Sequence, residues 1–194
     1  MEELFVKYIP LILCAAGAAA AVAAIAAVFA AAKYGAFEPV PIVETKAGGE
    51  TAVLEAVSGP YTQCGAAMDR VYYALRDEWG IETTLGIGIY YSDPKKVKKE
   101  DLRSEAGCIV REQDIAGKDG ISARFLVRKL EETHCLQAEF PYRGKLSVLF
   151  GVMKVYPALA RFASERGFDA DSPVSELYDI PNGKIVYRKT AVMK

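Results

Sequence analysis

Residues 50–194 repeat one pattern. In the first half stand Val53-Leu54-Glu55-Ala56, Pro60-Tyr61 and Val71-Tyr72-Tyr73-Ala74-Leu75. In the second half stand Cys135-Leu136-Gln137-Ala138, Pro141-Tyr142 and Val155-Tyr156-Pro157-Ala158-Leu159. Matching residues lie 82, 81 and 84 positions apart. Each half then passes a glycine helix end, Gly80 or Gly167, into a strand closing on Tyr91-Ser92-Asp93 or Tyr178-Asp179. An ordered series at near-constant spacing marks a duplication, and it limits the body to two copies of one supersecondary unit.

The unit is legible in its periodicity. Thr51–Val57 alternates as a strand, with Ser58-Gly59-Pro60 as its turn. Met68, Val71, Tyr72, Leu75 and Trp79 fall at helical spacing. Leu85, Ile87, Ile89 and Tyr91 alternate with Thr84, Gly86, Gly88 and Tyr90, the period of a strand, and a short strand follows at Gly107–Arg111. The second half predicts a strand at His134–Phe140, a helix from about Leu146 to Arg166, and strands at Val174–Asp179 and Lys184–Thr190 joined by the turn Pro181-Asn182-Gly183. Pro157 predicts a break in that helix, because an interior proline costs about 3 kcal/mol. Two βαββ units give an α+β fold, an antiparallel sheet with both helices packed on one face.

Ahead of this body, Ile9–Ala32 holds 24 residues without a charge, 13 of them alanine. A helix needs roughly 20 residues to cross the hydrocarbon core. The alternatives are an uncleaved transmembrane anchor and a cleaved signal peptide. Glu2 and Glu3 beside Lys7 are not a basic leader, and the run exceeds the usual 7–15 residues of a signal core, which favours the anchor. The expected organisation is an anchor at 1–32, an extended linker at 33–49 with Pro39, Pro41 and Gly48-Gly49, and a folded domain at 50–194. Lys33 and Lys46 follow the span against one lysine before it, a slight bias toward a cytoplasmic domain.

Residues 47–194 carry 21 basic and 21 acidic side chains, so nothing supplies the positive face that nucleic acid requires. Cys14 falls in the span, and Cys64, Cys108 and Cys135 form no close pair or metal spacing, as expected for reduced thiols. His134 lacks the partners a metal needs, and no phosphate loop or nucleophile elbow is present, so no metal or cofactor is expected.

Gly88-Ile89-Tyr90-Tyr91-Ser92-Asp93-Pro94, followed by Leu102-Arg103-Ser104 and Gly107, resembles the GyrI-like small-molecule-binding domain family. Phe140-Pro141-Tyr142-Arg143-Gly144 and Pro173-Val174-Ser175-Glu176-Leu177-Tyr178 carry the same resemblance in the second half. It implies a duplicated βαββ fold. The architecture, with the Val155–Leu159 pattern, is most similar to the membrane-anchored branch typified by the testis-expressed ER-phagy receptor. That branch implies the endoplasmic reticulum membrane and a quality-control role. The long acidic tail that engages the autophagy machinery there has no counterpart before Lys194, so selective autophagy is not carried over.

Glu176 is the leading site candidate. Alternation puts it on one face with Val174 and Tyr178, and the repeat matches it to Ile89, so it is expected to face an apolar interior. A buried carboxylate is paired, protonated or awaiting a cation; the competing reading is a strand Glu that reaches solvent or an Arg or Lys. The resemblance implies that Glu176 meets positively charged guests in an aromatic pocket. Tyr61, Tyr90, Tyr91, Tyr142 and Tyr178 are the candidate walls, or otherwise core filling. Arg103 resembles a residue that steadies the family's loop.

The expected function is a single-pass membrane protein presenting a binding domain for an apolar or cationic small molecule, as ligand-binding module or adaptor, with a protein partner as a further option. The alternative is a GyrI-like hydrolase of reactive electrophiles with Glu176 as acid or base. Catalysis is the less favoured of the two, because no second catalytic group is assigned.

Overall fold

The computed structural model describes residues 2–193, including the side chains of residue 8 and of 12–193. Helix α1 spans Glu2–Lys33 and the remainder is one eight-stranded sheet with its helices. Within α1, Ile12–Lys33 runs 22 residues, about 33 Å at 1.5 Å per residue. It is long and apolar enough to cross a membrane, and its apolar window is not buried against the rest of the chain.

The first unit is β2 (Thr51–Ser58), α2 (Cys64–Trp79), β3 (Leu85–Tyr90) and β4 (Arg103–Val110). The second is β6 (Thr133–Pro141), α5 (Lys145–Glu165), β7 (Val174–Asp179) and β8 (Lys184–Thr190). Helix α2 is 16 residues long and α5 is 21, which explains why the repeat offset grows past the helix. Cys64, Ala67, Val71, Ala74 and Leu75 form the buried stripe of α2. Gly80 stops the helix in the left-handed conformation, and the Ile81 amide donates back to the Leu75 carbonyl at 2.9 Å. Helix α5 runs unbroken through Pro157, contrary to the expected break. The proline is exposed, where solvent can take the freed carbonyl, and Val155 and Leu159 hold both sides of it on the sheet.

Two features lie outside the repeat. Residues 112–129 form α3 (Glu112–Ile115), α4 (Asp119–Arg124) and the edge strand β5 (Leu126–Lys129). The expected linker at 33–49 contains β1 (Ile42–Ala47), which pairs antiparallel with β6 from Ile42 opposite Ala138 to Ala47 opposite Thr133. A six-residue strand beside an open sheet edge gains a ladder of backbone hydrogen bonds, and the two prolines ahead of it already hold the chain extended for that pairing.

The strand order is β1-β6-β8-β7-β3-β4-β2-β5, antiparallel throughout. In a flat sheet β1 and β2 would stand about 29 Å apart, six spacings of 4.8 Å. The chain covers that distance from Ala47 to Thr51, a reach of about 14 Å at most. The connection from Lys129 in β5 to Thr133 in β6 is equally short. The sheet is therefore curled until its opposite edges meet at one end. There the two crossings are hydrogen-bonded to each other, Gly49 amide to Leu130 carbonyl and Leu130 amide to Glu50 carbonyl, both at 2.8 Å. Ala52, Leu54, Ile87, Ile109, Leu177 and Val186 fill the inside of the curl in a cluster that holds no helical residue. Helix α2 covers β2, β3 and β4 on the outer face, and α5 covers β6, β8 and β1.

Candidate functional site

The two units meet at β3 and β7, in the middle of the sheet, where the strands covered by α2 give way to those covered by α5. The register sets Gly88 opposite Glu176 and Gly86 opposite Tyr178. On its other side Glu176 faces Tyr187 of β8. Gly86, Gly88 and Tyr90 point to the helix face, because a side chain on either glycine would meet Met68 of α2. Ile89 points the other way, into the inner cluster with Ile87 and Leu177. Ile89 is therefore not the counterpart of Glu176. With faces matched, Gly88 takes that place and Tyr90 takes the place of Tyr178.

Glu176 is only 2 % exposed. The Tyr156 phenol donates to Oε1 at 2.7 Å and the Tyr178 phenol donates to Oε2 at 2.5 Å. Among the described residues no Lys, Arg or His forms an ion pair with it. Burial pushes its pKa above the ordinary carboxylate value, and the two phenol hydrogen bonds oppose that shift without cancelling it. Burial likewise raises Tyr90, Tyr156, Tyr178 and Tyr187, with the Glu176 carboxylate adding to each shift. These phenols stay protonated, and Tyr156 and Tyr178 act as donors to the carboxylate.

Of the residues singled out from the sequence, Glu176, Tyr90 and Tyr178 converge. Tyr142 is half-buried at their rim, its ring edge-on to Tyr178 at 6.0 Å. Tyr61 packs edge-on to Tyr90 at 4.9 Å, and its hydroxyl donates to the Ser92 carbonyl at 2.7 Å. Tyr91 lies elsewhere. Its hydroxyl donates to Glu105 at 2.8 Å and accepts from Arg128 at 2.8 Å, in an exposed cluster where Arg128 also pairs with Glu105. Adjacent strand residues face opposite ways, so Tyr90 and Tyr91 cannot line one pocket. Arg103 donates to the Glu100 and Leu102 carbonyls at 3.2 and 3.0 Å, across the turn before β4.

Tyr156 and Tyr187 were missed. Tyr187 is fully buried and its hydroxyl has no hydrogen-bond partner among the described residues. Its alternation with Ile185 on the last strand was a usable signal; the convergence of Tyr156 depended on how α5 lies on the sheet. Cys64 sits nearby with its thiol 3.2 Å from the Ser104 hydroxyl, and burial pushes that thiol up. A surface cleft of about 310 Å³ lies away from Glu176, lined by Gly80, Ile81, Glu82, Arg111, Asp114 and Lys118. Arg111 and Asp114 neutralise one another there at 2.8 Å.

No protein-family model matches the sequence, and no curated protein matches it. Solved structures do. The chain is similar to the EcmrR C-terminal domain, with a TM-score of 0.55 at 8% identity over 80% of this chain and 99% of that one. It is similar to SAV2435 bound to tetraphenylphosphonium, with a TM-score of 0.51 at 12% identity over 78% of this chain and 93% of that one. A protein of Staphylococcus aureus MU50 described as a bacterial transcription regulation protein gives a TM-score of 0.51 at 10% identity, over 79% and 99% of the two chains. At such identities the likeness is one of fold. That fold is the GyrI-like α+β fold, two βαββ units in one antiparallel sheet, here preceded by an apolar helix.

Proposed function

We propose that this chain is a membrane-tethered small-molecule-binding protein that takes an apolar or cationic guest at Glu176, where the cover of α2 gives way to that of α5. The observation that carries the reading is a carboxylate 2 % exposed whose only hydrogen-bond partners among the described residues are two phenols. Leaving an acid buried without a cation is costly unless something offsets it, and a lipophilic cation would do so inside an aromatic wall. Tyr90, Tyr156, Tyr178 and Tyr187 form that wall, with Tyr61 and Tyr142 at its rim. The tetraphenylphosphonium held by SAV2435 supports this ligand class. Entry requires the Tyr156 phenol to leave Glu176. Helix α1 serves as the tether and residues 50–194 as the body of the domain; a cytoplasmic placement rests on the slight excess of lysine after the span, and the endoplasmic reticulum membrane with a quality-control role there rests on the resemblance to the ER-phagy receptor branch alone.

The test is titration calorimetry of the full chain in a mild detergent with tetraphenylphosphonium, against Glu176→Gln. Saturable binding lost in the variant supports the reading. A folded protein that binds neither this cation nor neutral aromatic guests overturns it and points to a protein adaptor. Hydrolysis is not favoured, since the hydrogen-bond partners of Glu176 are phenols that burial keeps protonated.

A further inference from the structure

Helix α5 carries more apolar surface than its packing uses. Ser147, Gly151, Val155, Leu159 and Ala163 are its buried residues, at a four-residue spacing along the sheet. Around its first half, Leu146, Leu149, Val152 and Met153 are 43–63% exposed. The second half turns polar side chains outward, with Arg161 and Glu165 3.9 Å apart. The helix is apolar and long enough to pass for a membrane span, although it lies on the sheet as a core element.

The apolar half is also where the end of α1 is fastened. Arg143, just ahead of α5, donates to the Lys33 carbonyl at 2.5 Å and lies 3.6 Å from Glu38. Lys154 donates to the carbonyls of Ala36 at 2.7 Å and Glu38 at 2.5 Å. Gly35 packs on Phe140, and exposed Phe37 stands in the same turn. The last residue of α1 and the first turns of α5 are thus one rigid corner, with Lys33, Arg143 and Lys145 around it. Exposed apolar side chains bordered by basic ones are the chemistry of a helix lying in a lipid interface, with apolar groups at the acyl boundary and cations among the headgroups.

We infer that Leu146, Leu149, Val152 and Met153, with Phe37, rest on the lipid surface beside the point where α1 leaves the bilayer. The domain is then seated on the membrane along α5. This rests on reading α1 as a membrane span, and the test separates the two. The full chain is reconstituted in vesicles of phosphatidylcholine and phosphatidylserine, and an environment-sensitive fluorophore is attached to one cysteine at a time. The natural Cys14, exposed on α1, reports the span. Met153→Cys in a Cys14→Ser background reports α5, and Arg161→Cys in that background is the polar control. Cys64, Cys108 and Cys135 are buried and stay unlabelled. The expected result is blue-shifted emission, lost to doxyl-labelled lipids, at positions 14 and 153 but not at 161. Quenching at 14 without quenching at 153 overturns the seating and leaves the tether standing. No quenching at 14 overturns the tether and the seating with it. A blue shift at 153 that doxyl lipids leave untouched, with energy transfer between labelled chains, assigns the stripe to a second copy and also overturns the seating. Leu149→Glu with Met153→Glu, surface changes that leave the buried stripe of α5 intact, should abolish lipid quenching of a label at Leu146→Cys.

Discussion

Gly88 stands directly opposite Glu176 across the β3–β7 ladder, and the side chain it lacks is the space that Tyr90 occupies. A Cβ on Gly88 would come within 2.7 Å of the Tyr90 hydroxyl and 3.1 Å of the Met68 methyl. The glycine lets the Tyr90 ring fold back over its own strand, beside the carboxylate and under α2. One unit of the duplication supplies the acid, and the other supplies the vacancy that lets a phenol approach it.

Gly88→Ala is therefore expected to expel the Tyr90 ring. Overpacking of this kind costs about 1–3 kcal/mol, a melting point lower by roughly 3–10 °C for a chain of this size. Thermal unfolding of the full chain in detergent reads the stability. Titration with tetraphenylphosphonium should show weakened binding in the same variant.

Glu176 gives stability a definite pH slope. Above its ordinary value near 4.5 the unfolded chain releases the Glu176 proton, while burial holds the proton on in the native protein. The native state then binds more protons than the unfolded state, so this residue's contribution falls as pH rises through that window. Glu176→Gln cannot ionise. Its melting point should match the wild type below the ordinary carboxylate value and exceed it by a growing margin as pH rises above that value. Parallel melting curves at every pH would contradict the burial of this acid.

A cationic guest should reverse that slope. Binding favours the ionised carboxylate, so affinity rises with pH by up to about tenfold per unit while Glu176 is still protonated. Calorimetry in buffers of different ionisation enthalpy should detect proton release on binding. A neutral guest should show neither effect.

The edge strand makes a fourth prediction. A fragment beginning at Glu50 lacks Ile42–Ala47 and leaves β6 unpaired along its outer side. It should melt lower than the full chain and associate, since an unprotected edge recruits further strands. A fragment beginning at Tyr34 keeps the strand and should remain monomeric by light scattering.

The repeat and the end of α2 at Gly80 were legible, because strand alternation and helical spacing are local signals. The burial of Glu176 was only half legible: the repeat matches it to Ile89, which the register replaces with Gly88, and a strand Glu reaching solvent stood beside it. Strand β1 was not. Its six residues lie between Pro41 and Gly48-Gly49 and read as part of an extended linker, and its partner lies in the other half of the domain. The separation of Tyr90 from Tyr91 was present in the pattern, because Tyr90 alternates with Gly88 and Tyr91 with Ile89. A one-residue step on a strand reverses the face, so the two tyrosines cannot share one wall. Tyr187 beside Glu176 required the β7–β8 register, and Tyr156 required the seat of α5, neither of which spacing along the chain contains.

The curl of the sheet also sets an order of events at the ribosome. Ile42 pairs with Ala138, which is synthesised 96 residues later, and at 5–20 residues per second the wait is about 5–20 s. For that interval the strand next to α1 is an unsatisfied edge. The first unit meanwhile has its β2–β4 ladder but nothing to close the far side of its curl. The duplicated halves are two units by descent and one by folding, and the nascent chain is most open to chaperones, or to mispairing with a neighbour, until β6 emerges.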